Sequence, residues 1–197
     1  MKIRKYEADD EIEWLKCRVL SFLDSSYYND VLTKREFYAN EAICLVAEDN
    51  GRIVGLIDAE IEKQIGDLCV TGNKLGAVIW NLAVLPEYRQ QNIATALWNE
   101  VQRLLTERRI KHCEAWTQED EPANHWYIKQ GFHNIEENNW LRCYARPSST
   151  EWFLNTNNVG NIFGVEEMIF EVSTSRKNEV SQYCQKIIEV RLYAKEL

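Results

Sequence analysis

The chain is expected to fold as an α+β domain, a mixed sheet with helices packed on it. Three observations predict this. Apolar runs of strand length are bounded by turn residues, and longer stretches repeat their apolar residues at helical spacing. Their order through the middle of the chain is strand, strand, strand, helix, strand, helix, strand, not a regular alternation of parallel units. The 197 residues suffice for one well-cored domain with room for an insertion.

Residues 2–7 alternate and read as a first strand, and Asp9 and Asp10 cap a helix over 11–23 whose Ile12, Leu15, Val19 and Phe22 share a face. A polar and aromatic connection, Asp24-Ser25-Ser26-Tyr27-Tyr28-Asn29-Asp30, leads to a second short helix expected near 33–40. Strands over 42–48 and 53–61 are joined by the hairpin turn Asn50-Gly51. A long buried strand over 77–84 stops before Pro86. The helix over 93–109 carries Ile93, Leu97, Val101, Leu104 and Leu105 on one stripe. A strand over 113–117 follows, then a helix with Pro122 at its first position and Gly131 as a left-handed stop, and Phe132 opens a further strand. Residues 187–197 suit a closing strand, and the periodicity of 163–172 fits helix and strand equally.

Hydrophobic residues make up 45% and charged residues 27%, ordinary for a globular protein, and most of the seven Trp, nine Tyr and six Phe are assigned to the core. A net charge of −8 argues against a nucleic-acid partner, which needs a basic face, and is compatible with a cationic amine substrate. The six cysteines are scattered without C-x-x-C pairs or histidines at zinc-finger spacing, so no metal site is expected and a reducing cytoplasm is the expected setting. The charged opening Met1-Lys2-Ile3-Arg4-Lys5 is unlike a leader, and no apolar run approaches the roughly 20 residues that span a bilayer, so no membrane partner is expected.

Chemistry concentrates in Asn81-Leu82-Ala83-Val84-Leu85-Pro86-Glu87-Tyr88-Arg89-Gln90-Gln91-Asn92-Ile93-Ala94-Thr95-Ala96-Leu97. A buried strand ends at a proline, and a short polar loop enters an amphipathic helix. Such a loop leaves successive N–H groups unpaired at the positive end of a helix dipole, which makes it an anion cradle. Ala94, Thr95 and Ala96 are small enough for phosphates to approach the backbone, and Arg89 adds a charged donor.

The segment Arg89-Gln90-Gln91-Asn92-Ile93-Ala94 resembles the cofactor-binding motif of the GNAT acetyltransferases, Arg/Gln-x-x-Gly-x-Gly/Ala. Position 92 departs from it, with Asn for Gly, and Asn is the residue after glycine most tolerant of the left-handed region. Downstream, Ala123-Asn124-His125-Trp126-Tyr127-Ile128-Lys129-Gln130-Gly131-Phe132 resembles the family's Ala-x-x-x-Tyr-x-Lys-x-Gly-Phe, in the right order and at suitable distance. The resemblance covers residues 2–144 in element order and 191–197 more loosely.

It implies a three-layer, mostly antiparallel twisted sheet with helices on both faces. That sheet splays open between the strand ending near Val84 and the strand over 113–117. The whole chain is then one domain, with a core over 1–146, an insertion or extension over 147–186 and a closing strand over 187–197. Acetyl-CoA would lie in the gap, with no metal. The backbone of Leu82, Ala83 and Val84 would hold its pantetheine and acetyl carbonyl, and the amides of Gln90, Gln91, Asn92, Ile93, Ala94 and Thr95, beside Arg89, its diphosphate. Asn124 would bond the cofactor arm, and Tyr127 would serve as the acid for the departing thiolate.

The implied function is transfer of an acetyl group to a primary amine by direct attack in a ternary complex. The alternative is a weakly active or inactive acyl-CoA-binding module with a regulatory role. Asn81 stands where many relatives place a carboxylate base. Glu119, Asp120 and Glu121 read as an acidic helix cap, His125 and His133 as surface or core groups, and Lys129 as a solvent-facing one. Trp14, Arg18, Tyr27, Tyr28, Trp140, Trp152 and Phe153 are candidates for the acceptor pocket of a small-molecule or peptide amine. Residues 147–186 would wall that pocket or form a homodimer contact. The absence of Gly-x-Gly-x-x-Gly counts against a dinucleotide enzyme.

Overall fold

In the computed structural model, which describes residues 1–145 and 167–197, the strands form one sheet in two arms. The first arm holds β1 (Lys2–Lys5), β2 (Ala42–Asp49), β3 (Arg52–Ile61) and β4 (Gly76–Val84) in that order, every pair antiparallel. The second holds β5 (His112–Thr117), β9 (Cys184–Glu196), β7 (Trp140–Ala145) and β8 (Met168–Ser173), also antiparallel, with the short β6 (His133–Asn134) beside β9.

The arms meet at β4 and β5, which run parallel. Their pairing lasts from Gly76 opposite His112 to Ile79 opposite Ala115 and then stops, although β4 continues to Val84 and β5 to Thr117. The expected splay is therefore present. Its onset coincides with a bulge: Asp58 and Ala59 of β3 face Asn81 and Ile79, so Trp80 is the extra residue on β4.

Helices cover both faces. Along β3, Gly55 and Asp58 are three residues apart and point to opposite sides. On the Asp58 side lies α1 (Glu11–Phe22), which buries Trp14, Cys17 and Arg18. On the Gly55 side lies α2 (Ile93–Glu107), which buries Ile93, Leu97, Trp98, Val101 and Leu105 along one stripe. Next to β5 runs α3 (Glu121–Lys129), capped by the Asp120 carboxylate, which accepts the Ala123 N–H at 3.1 Å, and followed by Gly131 at φ +83°. Asp10 works one turn earlier than expected, taking the Glu7 N–H at 2.8 Å. Among the described residues, no helix is long and apolar enough to cross a membrane.

Several expectations need correction. Residues 33–40 form no helix, because tertiary hydrogen bonds override local preference there: the Asn40 N–H donates to Glu60 Oε1 at 2.8 Å and the Arg35 N–H to Glu11 Oε1 at 3.1 Å. The strand opened by Phe132 shrinks to two residues. Strand β7 was not expected, and the undecided stretch resolves as strand β8 from Met168 onward, while residues 163–166 lie outside the described residues. The closing strand begins at Cys184, not at 187. Of residues 147–186, the described part supplies β8 and a one-turn helix α4 (Lys177–Val180), whose Val180 forms a small apolar cluster with Leu141 and Cys143 of β7. It thus lengthens the sheet's second arm.

A methyl group at Gly55 would stand 2.9 Å from Ile93 Cγ2, 3.3 Å from Leu97 Cδ1 and 3.3 Å from the Ala83 carbonyl oxygen. The variant Gly55→Ala should lose about 1–3 kcal/mol of stability from this overpacking. Urea unfolding checks it, through a lower midpoint at unchanged slope.

Candidate active site

The loop between β4 and α2 has the geometry of an anion cradle. After Val84 the chain makes a 3-10 turn at Pro86–Tyr88, Gln90 takes φ +61°, and Asn92 takes φ +61°, ψ 17°. The left-handed Asn92 was expected, and the left-handed Gln90 was not. The first helical bond of α2 runs from the Ala96 N–H to the Asn92 carbonyl at 2.9 Å. Among the described residues, the N–H groups of Gln90, Gln91, Asn92, Ile93, Ala94 and Thr95 therefore have no carbonyl partner, and they lie at the positive end of α2. A diphosphate fits this donor set.

Some side chains differ from expectation in what they contact. The Arg89 guanidinium donates to the Ser21 carbonyl at 2.8 Å and weakly to the Val84 carbonyl at 3.4 Å, so it ties α1 to the end of β4. Thr95 Oγ1 accepts from Trp126 Nε1 at 3.1 Å and faces Gln130 Nε2 at 3.5 Å, bridging α2 to α3. Asn124 is only 5% exposed; its amide donates to the Gln118 carbonyl at 3.0 Å and accepts from the Thr117 hydroxyl. In this state its side chain joins β5 to α3. Leu82 and Val84 are half-buried and Ala83 is buried, on the stretch of β4 that has left β5.

Tyr127 of α3 is 6% exposed and packs into the core. Its ring stacks on Tyr193 at 5.6 Å and meets Phe132 edge-on at 5.2 Å. Burial pushes its phenol well above the usual tyrosine range, with the neighbouring Tyr27 and Cys113 adding to the shift. Tyr27 arrives from the far end of α1, its hydroxyl accepting the Gln118 N–H at 2.7 Å, and burial pushes its phenol up to about 12. The end of β5 thus brings together two protonated phenols.

A polar network fills the α1 side of β4. Asn81 Oδ1 accepts from Arg18 Nε at 2.7 Å, and Asn81 Nδ2 donates to Glu36 Oε2 at 2.6 Å and to the Tyr38 hydroxyl at 3.0 Å. Tyr38 donates to Asp58 Oδ2 at 3.0 Å, where the Arg35 guanidinium also bonds at 3.1 Å. Asp58 is fully buried, and desolvation raises its carboxyl against the pull of Arg35. Sequence reasoning missed Glu36, Tyr38 and Asp58. The one signal was an acid inside the apolar run Ile53-Val54-Gly55-Leu56-Ile57-Asp58-Ala59.

The acceptor candidates separate. Trp14 has no exposure and belongs to the core, and Arg18 is buried in the network, bonding Asp30 through its Oδ2 at 2.8 Å. Tyr28 is exposed, with Lys186 Nζ 4.7 Å from its ring centre, and Trp140 sits 6.4 Å from Trp116. Trp152 and Phe153 lie outside the described residues. Lys129 is exposed, as expected, and of the two fates open to His125 and His133 both take the surface one.

Comparison with known proteins addresses the same elements. The profile of the Acetyltransferase (GNAT) family matches residues 8–132. N-alpha-acetyltransferase 60 of Xenopus tropicalis is 31% identical over 99 residues, covering 46% of this chain and 39% of that protein. The chain thus spans about two-fifths of the length of that curated relative. A GNAT-family acetyltransferase from Streptococcus pneumoniae superposes with a TM-score of 0.61 at 15% identity, covering 100% of this chain and 99% of the other. Arabidopsis thaliana NAA60, solved with a bisubstrate analogue, does so with a TM-score of 0.56 at 15% identity, covering 99% of this chain and 97% of the other. These likenesses share the open sheet found here. Because the family profile takes in the splayed strands, the α2 loop and α3 across more than half of its length, the chain belongs to the acetyltransferase (GNAT) family.

Proposed function

We propose that the protein is an N-acetyltransferase that moves an acetyl group from acetyl-CoA to a primary amine by direct attack in a ternary complex. The observation that carries this reading is the run of unpaired amides from Gln90 to Thr95, set beside the opening between β4 and β5. The thioester supplies an activated acyl group. The main chain of Leu82, Ala83 and Val84 holds the arm that bears it, and the loop amides hold the diphosphate. Asn124 joins in holding that arm once its amide turns from Thr117.

Tyr127 is the proton donor to the leaving thiolate, since it holds the tyrosine position of the Ala-x-x-x-Tyr segment and a phenol carries its proton at neutral pH. Asn81 cannot accept the ammonium proton. The adjacent Glu36 carboxylate, bonded to that same amide and exposed to solvent, takes the role and passes the proton to water. The acceptor enters between Tyr27, Tyr28 and the β7–β9 arm, and the described part of the insertion walls that side or forms a contact between copies along β8, the outer strand. A peptide N-terminus is the favoured acceptor, because the curated relative is named an N-alpha-acetyltransferase and the Arabidopsis neighbour was solved with a bisubstrate analogue. A reducing compartment such as the cytoplasm suits the six free thiols.

The amide at position 81 favours one second reading, an acyl-CoA-binding module with little turnover. Melting curves with acetyl-CoA, run beside a thiol-release screen over peptides and small amines, separate the two. Stabilisation with turnover supports the enzyme, stabilisation alone supports the module, and no stabilisation at high excess removes both. Tyr127→Phe should lower kcat roughly tenfold or more while the acetyl-CoA Kd changes less than about twofold; an unchanged kcat removes its acid role. Glu36→Gln should lower kcat/KM by a similar factor, again without loss of donor affinity by calorimetry. Asn92→Gly, which relieves a left-handed asparagine, should leave the acetyl-CoA Kd unchanged or tighter, and clear weakening would mean that the Asn92 side chain contacts the donor.

A further inference from the structure

At the paired end of β4 and β5, where Gly76 faces His112 roughly 10 Å along the strand from the onset of the splay, a second polar centre is built around the loop over 62–75. Two carboxylates are buried there. Glu62 Oε1 accepts the Gly76 N–H at 2.7 Å, and its Oε2 accepts those of Gly66 at 3.0 Å and Cys69 at 3.3 Å. Glu114 has no exposure; its Oε2 takes the Val70 N–H at 2.8 Å, and its Oε1 takes the Thr71 N–H and hydroxyl, each at 2.6 Å. His112, two residues before Glu114 on the same side of β5, places Nε2 2.9 Å from Glu114 Oε1 and Nδ1 3.2 Å from Glu196 Oε1.

Into this centre points the Cys69 thiol. It is 4% exposed and, among the described residues, makes no hydrogen bond. One ligand atom each from Cys69, His112 and Glu114 lies within 4.8 Å of the others. The surrounding backbone is cut away to admit them: a Cβ at Gly76 would lie 2.6 Å from the Cys69 sulfur and 3.2 Å from the imidazole, and one at Gly72 would lie 3.1 Å from the imidazole.

We propose that Cys69 Sγ, His112 Nε2 and Glu114 Oε1 bind a structural Zn²⁺ ion that pins the loop to β5, with the Thr71 hydroxyl or a water as fourth ligand. The donor set of one sulfur, one nitrogen and one oxygen is the mixture a tetrahedral zinc site accepts. Such a site holds its ligand atoms roughly 3.3–3.6 Å apart, so atoms now within 4.8 Å of one another close by roughly 1.2–1.5 Å at most, while Nε2 and Oε1, 2.9 Å apart, open slightly. On binding, the thiol proton and the proton on Nε2 leave to water, and sulfur, nitrogen and carboxylate oxygen each form a bond to the metal. Glu196 then accepts from Nδ1–H, the carboxylate–histidine–metal arrangement that fixes the ring. The ion also offsets the buried Glu114 carboxylate, whose ion-pair partner among the described residues is His112. Because binding releases the thiol proton, affinity should fall as pH falls.

The test is metal analysis of the full chain after chelation and dialysis against Zn²⁺, with Co²⁺ substitution as the spectroscopic probe. One ion per chain, a thiolate-to-cobalt charge-transfer band in the near ultraviolet, and loss of that band in Cys69→Ser and His112→Gln support the site. Zn²⁺ should raise the melting temperature of the wild type, bind Cys69→Ser at least about tenfold more weakly, and leave acetyl-CoA binding by Cys69→Ser unchanged. Substoichiometric metal in the wild type, a cobalt spectrum without the thiolate band, or a band that survives Cys69→Ser overturns the proposal. Should the variants not fold, the wild-type stoichiometry and cobalt spectrum decide alone.

Discussion

Parallel pairing between β4 and β5 holds for four residue pairs and then gives way, and the rest of the molecule is organised around that loss. Two strands that part leave main-chain polar groups facing a cleft, and such groups are costly to bury unpaired. The bulge at Trp80 turns β4 aside, and the Trp80 indole, bonded to Glu60 at 2.9 Å, secures the turn. From there β4 delivers the chain through Pro86 into a loop whose amides point outward, while β5 delivers it into α3 and Tyr127. The cradle and the phenol are thus consequences of one interruption in one sheet.

Much of this was legible because the information is local. A buried strand stopped by Pro86, an Asn where a left-handed residue is needed, and Pro122 and Gly131 bracketing a helix are each decided within a few residues. What escaped is decided at long range. Glu36 meets Asn81 across 45 positions, and Thr71 meets Glu114 across 43. Residues 33–40 were read as helix because their bonds to Glu11 and Glu60 leave no trace in local periodicity. The approach of Cys69 to His112 is equally invisible in spacing along the chain, because it forms only after β4 and β5 align.

The two ends of this strand pair carry different kinds of polar burial. At the splay, side chains from several elements bond one another around Asn81 and Asp58. At the other end, two carboxylates are enclosed by backbone N–H donors from a single loop, the arrangement in which a buried anion is tolerated. The loop over 62–75 is thus ordered by Glu62 and Glu114 more than by its own apolar side chains, of which Ile65 and Val70 are exposed.

Arg89 links the β4–α2 loop to α1, since its guanidinium spans the Ser21 carbonyl at the end of α1 and the Val84 carbonyl at the end of β4. A displacement of the loop pulls on α1, and a displacement of α1 pulls equally on the loop. In this structure the cation acts as a tie rod, so the position of the anion cradle and the position of the first helix are one mechanical variable, not two.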